Sequence, residues 1–411
     1  MSERGHCRFC GALLKTTFVD LGMSPLSNSY LDTRQIGDME RFFPLHVWVC
    51  DDCLLVQLEE FETPEAIFSD YAYFSSYSDS WLRHARTYAD AMVPRFSLGP
   101  RSQVMEVASN DGYLLQFFVE RGIPALGIEP AANVAAEAER KGVPTLVRFF
   151  GRALADELAR EGRRADLLAA NNVLAHVPDL NDFVAGLRAV LKPDGVATLE
   201  FPHLLRLIEG NQYDTIYHEH FSYLSLLVIE KVFGAHGLTV FDVEELPTHG
   251  GSLRVFAQRS EAGRPASPAL DRVRHAEAEF GLHRRDTYLG FAGQVEESRL
   301  SVLEFLIRAK REGRRVAAYG APAKGNTLLN YCGIRTDLLP FTVDRSPHKQ
   351  GRFLPGVHIP ISPVDRIEQY RPDFLVILPW NLREEIVEQM ARVRSWGGRF
   401  VTFVPRVQVL P

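Results

Sequence analysis

The 411-residue sequence lacks most features that would place it outside ordinary globular chemistry. No apolar run reaches the ~20 residues that span a bilayer, so no membrane segment is expected. The opening Met1-Ser-Glu-Arg-Gly-His-Cys-Arg-Phe-Cys10 has no apolar core. No secretory leader is therefore expected, and the expected location is cytoplasmic. Neither charge sign dominates: 46 Lys+Arg against 52 Asp+Glu gives 46 − 52 = −6. With no basic stripe, the counterion-release driving force is missing, and no nucleic-acid partner is expected. Cysteine is scarce, at five residues. A chain this long buries enough core to need no disulfide staples. What is present is ordinary: 46% hydrophobic and 24% charged residues, enough for several domains.

Four of the five cysteines form two pairs, Cys7-Arg-Phe-Cys10 and Cys50-Asp-Asp-Cys53. Two tight turns, each offering two thiolates, supply the tetrahedron of soft ligands that structural zinc takes. A redox Cys-x-x-Cys normally comes singly beside a βαβ unit, and neither pair sits in one. Cys7, Cys10, Cys50 and Cys53 are therefore the expected zinc ligands. No open coordination position, and so no zinc chemistry, is expected. Cys332 stands alone and reads as a small buried hydrophobe.

The patterning divides the chain into residues 1–65, with the cysteines and short strands; 66–260, with strand–helix alternation; 261–312, with helical spacing; and 313–411, with a second alternation. Such alternation predicts α/β units with parallel sheets covered on both faces. The expected fold class is α/β: a small N-terminal zinc-binding domain, a central Rossmann-like domain and a C-terminal Rossmann-like α/β domain.

Within the central unit, Glu106-Val-Ala-Ser-Asn-Asp-Gly112 follows a predicted strand and precedes a helix, which makes a nucleotide cradle. Glu129 ends the next strand, where a carboxylate can accept both ribose hydroxyls of an adenosine. Asn171 and Asn172 end the fourth strand, five and four residues before His176. A nicotinamide dinucleotide needs glycine at three places for its pyrophosphate, and this loop keeps only Gly112. The segment Asp214-Thr-Ile-Tyr217-His218-Glu219-His220-Phe-Ser-Tyr223 is dense in polar chemistry. It is not the helical His-Glu-x-x-His of a zinc protease. On an extended segment residues two apart share a face, so a metal pair, a satisfied polar loop and a His general base all stay open. In the last unit, Tyr319-Gly320-Ala-Pro-Ala-Lys324-Gly325 opens a helix without being a P-loop. It reads either as a seat for the pyrophosphate of a nucleotide or as a turn kept for packing. His249-Gly-Gly251 reads as a loop crossing between domains.

The order of these elements, with Leu191-Lys-Pro-Asp-Gly195 and Asn171-Asn-Val-Leu-Ala-His176, resembles the class I S-adenosylmethionine methyltransferases. Ala108 and Ser109 stand where that family commonly has Gly-x-Gly. The paired Cys-x-x-Cys, Ile-Tyr217-His-Glu-His220-Phe, Leu-Pro-Thr-His249-Gly-Gly and Tyr-Gly320-Ala-Pro-Ala-Lys324-Gly recur in order in the deoxysugar C-methyltransferases, over essentially the whole chain. That resemblance implies methyl transfer from S-adenosylmethionine to carbon in a nucleoside-diphosphate-linked 4-keto-6-deoxysugar, with C3 preferred. It implies a cofactor site formed by Glu106, Ser109, Asn110, Asp111, Gly112, Glu129, Asn171 and Asn172. It implies His220 as base at C3, Tyr217 as donor to the keto oxygen and Glu219 in support. His176 would face the sugar and Tyr73 lie over it, with Tyr71 the competing choice and His218 peripheral. Lys324, Gly320 and His249 would serve substrate binding. Methylation at C5 or on oxygen, and a zinc-anchored binding protein with a vestigial cofactor fold, are the rivals. The sequence leaves the oligomeric state open, with a monomer the simplest expectation.

Overall fold

The computed structural model describes residues 5–63 and 75–410. Tyr71 and Tyr73 lie outside the described residues. Among these residues no helix is long and apolar enough to cross a membrane.

The N-terminal sheet begins with β1 (Thr16–Ser24), β2 (Phe43–Val49) and β3 (Val56–Leu58). Its fourth strand is Ser222–Tyr223, which pairs antiparallel with β3, Val56 opposite Tyr223 and Gln57 opposite Ser222. The segment expected to carry the chemistry is thus hydrogen-bonded into the cysteine-bearing sheet, across the 65/66 boundary drawn from sequence.

The central sheet comprises β4 (Val104–Val107), β5 (Ala125–Ile128), β6 (Thr145–Leu146), β7 (Ala165–Asn171) and β8 (Leu191–Pro202). The short Ser222–Tyr223 strand, β9, leaves for the other sheet. After it, β10 (Leu238–Leu246) and β11 (Ser252–Arg259) complete the sheet. The order is β10-β11-β8-β7-β4-β5-β6, with β11 antiparallel to β8 and β4–β8 parallel. The order reverses at β4, so the loops after β4 and β7 diverge and open a crevice at the strands' carboxyl ends. The predicted strands 103–107, 125–128, 166–170, 195–201, 238–244 and 253–258 all lie on observed ones, although β8 starts earlier, at Leu191.

The 261–312 stretch folds as helices Pro268–Phe280, Arg285–Leu289 and Phe291–Arg311. Phe291 stacks on Phe18 of β1 with centroids 4.6 Å apart, which seals the N-terminal sheet. Buried Glu277 accepts the backbone N–H groups of Leu226 and Leu227 at 2.6 and 2.9 Å and meets His203 at 2.7 Å. It thereby satisfies the orphan donors that open helix Leu226–Ala235. The last unit is β12 (Val316–Tyr319), β13 (Thr342–Val343), β14 (Ile361–Ser362), β15 (Phe374–Ile377), β16 (Arg399–Thr402) and β17 (Gln408–Leu410), in the order β14-β13-β12-β15-β16-β17. Its order also reverses at its first strand.

Candidate active site

The turn after β4 takes left-handed backbone at Ala108 (φ 56°), Asn110 (48°) and Gly112 (74°). A Cβ on Gly112 would stand 3.1 Å from Val143 Cγ2 and 3.2 Å from Ala138 Cβ, so this position needs glycine for both angle and space. Ala108 and Asn110 accept the angle at some local cost. Ser109 is fully buried, with its hydroxyl packed against Gly127 of β5 and its N–H donating to the Ile128 carbonyl at 3.3 Å. Glu129, one residue past β5, accepts the N–H of Asn110 and that of Ala131, each at 2.9 Å. Its two oxygens shape the turn and keep further lone pairs for a ligand. Asn110 and Asp111 accept from the backbone of Ser75 and Ser76 at 3.0 and 3.2 Å, and Lys141 meets Asp111 at 3.1 Å. These two side chains anchor the segment that leads into helix Asp79–Arg95.

Glu106, Asn171 and Asn172 ring the crevice. Both carboxylate oxygens of Glu106 and the side-chain oxygens of both asparagines are buried without a well-formed hydrogen bond, although Tyr113 stands beside Glu106 and eases its ionisation. Burial raises the Glu106 carboxyl well above the usual carboxylate range. Buried polar groups left open in this way mark a place for a polar ligand.

Past Asn172 a single turn, Leu174–His176, brings His176 beside His220, with ring centroids 4.7 Å apart. Tyr217 also lies against the His220 ring, with centroids 4.1 Å apart. His220 Nδ1 is 2.8 Å from the Thr215 carbonyl. A carbonyl only accepts, so Nδ1 carries the proton and Nε2 carries the lone pair. Burial, then the neighbouring His176 charge, holds the His220 pKa well below 6.5. Burial lowers His176 to about 4. Both rings are neutral near pH 7.

His218 turns the other way. Its Nε2 bonds the Pro44 carbonyl at 3.2 Å, and its ring meets Phe43 and Phe61 of the N-terminal domain. The His218/His220 metal pair therefore has no common face. Among the described residues the one group placed to hold a metal is Cys7, Cys10, Cys50 and Cys53, whose sulfurs all lie within 4.8 Å of one another. The two cysteine turns are copies of each other: Gly11 (φ 76°) and Leu54 (68°) follow them and return their N–H to the Cys7 and Cys50 carbonyls at 2.9 and 3.0 Å. Glu219 also faces the N-terminal domain, where Asn28 donates to it at 2.6 Å.

From the C-terminal unit, Lys324 approaches the same cleft. Its Nζ donates to Asn381 at 2.8 Å and lies 4.7 Å over the Trp380 ring, whose indole N–H donates to buried Asp214 at 2.7 Å. Burial lowers the Lys324 pKa, with Asp214 opposing. Burial raises Asp214 to about 6, against the nearby ammonium. Trp380 presses on Gly250, the neighbour of His249, which sits on a left-handed turn (φ 53°) with its ring 5.7 Å from Trp81. Gly320, one residue past β12, takes φ 91° and sits tight against Pro379. Asp344, one residue past β13, accepts the N–H groups of Ala321 and Ser346, each at 2.8 Å. This repeats what Glu129 does in the central unit.

Three family models match consecutive stretches: a zinc binding domain over residues 7–68, a methyltransferase domain over 81–243 and a C-methyltransferase C-terminal domain over 247–405. The C-methyltransferase NovU of Streptomyces niveus is 35% identical over 405 residues, covering 98% of this chain and 96% of its own. This chain belongs to that C-methyltransferase family. A ubiquinone biosynthesis O-methyltransferase of Rhodopseudomonas palustris is 28% identical over 27% of this chain and 47% of its own. Among solved structures, magnesium protoporphyrin IX methyltransferase of Synechocystis with bound S-adenosylmethionine overlaps 44% of this chain and 82% of its own, at 16% identity and TM-score 0.33.

The methyltransferase uses S-adenosylmethionine and carries a zinc-binding domain. The open oxygens of Glu106, Asn171 and Asn172 fit a polar cofactor in the β4/β7 crevice. The closest sulfur pairs, Cys7–Cys53 and Cys10–Cys50 at 3.5 Å, fit a tetrahedron with zinc–sulfur bonds of ~2.3 Å. Sequence reasoning missed several residues of the cleft: Asn28, Trp81, Asp214 in its pairing, and Trp380. Only the tryptophans carried a hint, each lying close to an element boundary.

Proposed function

We propose that this C-methyltransferase acts on carbon 3 of a nucleoside-diphosphate-linked 4-keto-6-deoxysugar. The observation that carries the reading is the fixed tautomer of His220, neutral and with Nε2 free, one ring away from His176 at the mouth of the cofactor crevice. A carbon beside a ketone loses its proton only to a well-placed base, with the enolate oxygen stabilised. His220 Nε2 takes the C3 proton. Tyr217 donates to the keto oxygen, and His176 contacts the sugar. Glu219, held by Asn28, supports the loop's field rather than touching the base. S-adenosylmethionine, when bound, supplies an electrophilic methyl group. That methyl would be the group the C3 carbanion takes up, with the sulfur as its leaving group. Glu129 takes the ribose hydroxyls, and Glu106, Gly112 and the asparagines line the methionine end. The turn at Gly320, with Lys324 in the first turn of its helix and His249 across the cleft, receives the diphosphate. The repeated Asp344 device supports a nucleotide there. Four thiolates kept for zinc suit a reducing, cytoplasmic setting.

The test is incubation with a nucleoside-diphosphate 4-keto-6-deoxysugar in D₂O. Exchange of the C3 proton without S-adenosylmethionine, and a C3-methyl product with it, are expected. A methyl group found on oxygen or C5 would overturn the assignment. Absence of S-adenosylmethionine binding by calorimetry would overturn the enzyme reading altogether.

A further inference from the structure

The first cysteine turn does more than hold two thiolates. Arg8, between Cys7 and Cys10, is 7% exposed, and its acidic counter-charges, Glu60 and Asp179, act on it without an ion-pair contact among the described residues. Burying a guanidinium without a contacting carboxylate is costly unless its donors are met. Its two terminal nitrogens are met by main-chain carbonyls of two different segments, while Nε is buried without a hydrogen-bond partner. Nη1 donates to Pro178 at 2.8 Å and Nη2 donates to Leu58. The guanidinium also lies 5.4 Å from the centroid of the Phe221 ring. Pro178 is two residues past His176, and Phe221 is one past His220. The Phe221 N–H donates to the Ala175 carbonyl at 2.7 Å, and its own carbonyl accepts from Leu58 at 3.0 Å. One side chain thus braces both segments that carry the paired imidazoles. A second link runs parallel to it. Gln57, opposite Ser222 in the sheet, accepts the Arg8 N–H at 2.9 Å and donates to Cys7 Sγ at 3.1 Å. Asn181, five residues past His176, donates to the Phe9 carbonyl at 2.9 Å.

We propose that Arg8 is a positioning residue for the His176–His220 pair, through which the zinc turn sets the placement of the base. The proposal rests on the reading of His220 as that base. A planar fork reaching two carbonyls is work that lysine cannot fully replace.

The experiment compares Arg8→Gln and Arg8→Lys with the parent full-length protein. Four readouts are zinc content, S-adenosylmethionine affinity, methyl-transfer kinetics and the ¹⁵N-imidazole titration of His220, assigned with His220→Asn. Arg8→Gln is expected to keep one zinc per chain and cofactor affinity within ~3-fold. Its kcat should fall ~10–100-fold with KM for the sugar little changed, and the His220 titration should move toward 6.5 as water enters; Arg8→Lys should recover part of both. An unchanged His220 titration in a zinc-loaded Arg8→Gln protein overturns the proposal. So does loss of zinc and fold with unchanged kcat per cofactor-binding molecule. If Arg8→Gln does not fold, Arg8→Lys decides by the same readouts. The imidazole titration needs no sugar, so a wrong substrate class leaves this test standing.

Discussion

Replacing His220, the proposed base, by asparagine separates its proposed chemistry from its part in holding the loop. The imidazole does two things: Nδ1–H ties the ring to the Thr215 carbonyl at 2.8 Å, and Nε2 offers a lone pair. An asparagine amide N–H can remake the first bond from the same backbone position, and nothing in it replaces the second. The loop should keep its course through β9 and the Glu277-capped helix. The loss should therefore be that of a general base alone, ~10²–10⁴ in kcat, or about 2.7–5.5 kcal/mol of barrier. Glu106 and Glu129 belong to β4 and the end of β5 and make no bond to His220, so cofactor affinity should stay within ~3-fold. Single-turnover methyl transfer and C3 deuterium exchange should fall together, because both begin with the same proton abstraction. The variant should also resist acid better. The folded-state pKa of His220 lies below 6.5. Below pH 6.5 the unfolded chain therefore takes up a proton that the native one refuses, and wild-type stability is lost as pH falls. Asparagine does not titrate and removes that contribution. Turnover within ~3-fold of wild type, or deuterium exchange that survives the substitution, would refute the assignment.

With His220 as the proposed base, the acid limb of kcat/KM should fall below 6.5; a limb at 6.5 or above in a pH–rate series would show that another group is being read. Cys53→Ser should take zinc below one per chain by metal analysis and lower the yield of folded protein; a full complement of zinc would contradict the four-thiolate site. Gly112→Ala should weaken S-adenosylmethionine binding by about 1–2 kcal/mol in calorimetry, from the left-handed angle and the contacts with Val143 and Ala138; unaltered affinity would mean that the turn relaxes freely.

Strand–helix alternation made both Rossmann-like units legible, because parallel strands buried on two faces read as short apolar runs between turns. The cysteine spacing was equally clear. β1 escaped notice because register shifts between Thr17 and Val19 and between Asp20 and Met23 break its alternation. β9 is two residues long, too short for any period to show. Helix Leu226–Ala235 is apolar nearly all round, so its stripe is missing. In the cleft, motif residues such as His220 and Lys324 could be picked out because they cluster locally. Their partners could not: Asn28 meets Glu219 across 191 residues, and Trp380 meets Asp214 across 166. Such pairings are set by how the units pack, and nothing in either local segment announces them.

The pairing of β3 with β9 also limits how this architecture can be recombined. A gene fragment ending after β3 would leave a backbone edge unzipped, with the Leu58 amide stripped of its acceptor. Grafting the metal-binding module onto another transferase would have to bring residues 222–223 with it, or find a host whose own loop can serve as the missing ribbon. Inheritance of the two parts is tied together by that one rung of main-chain bonds.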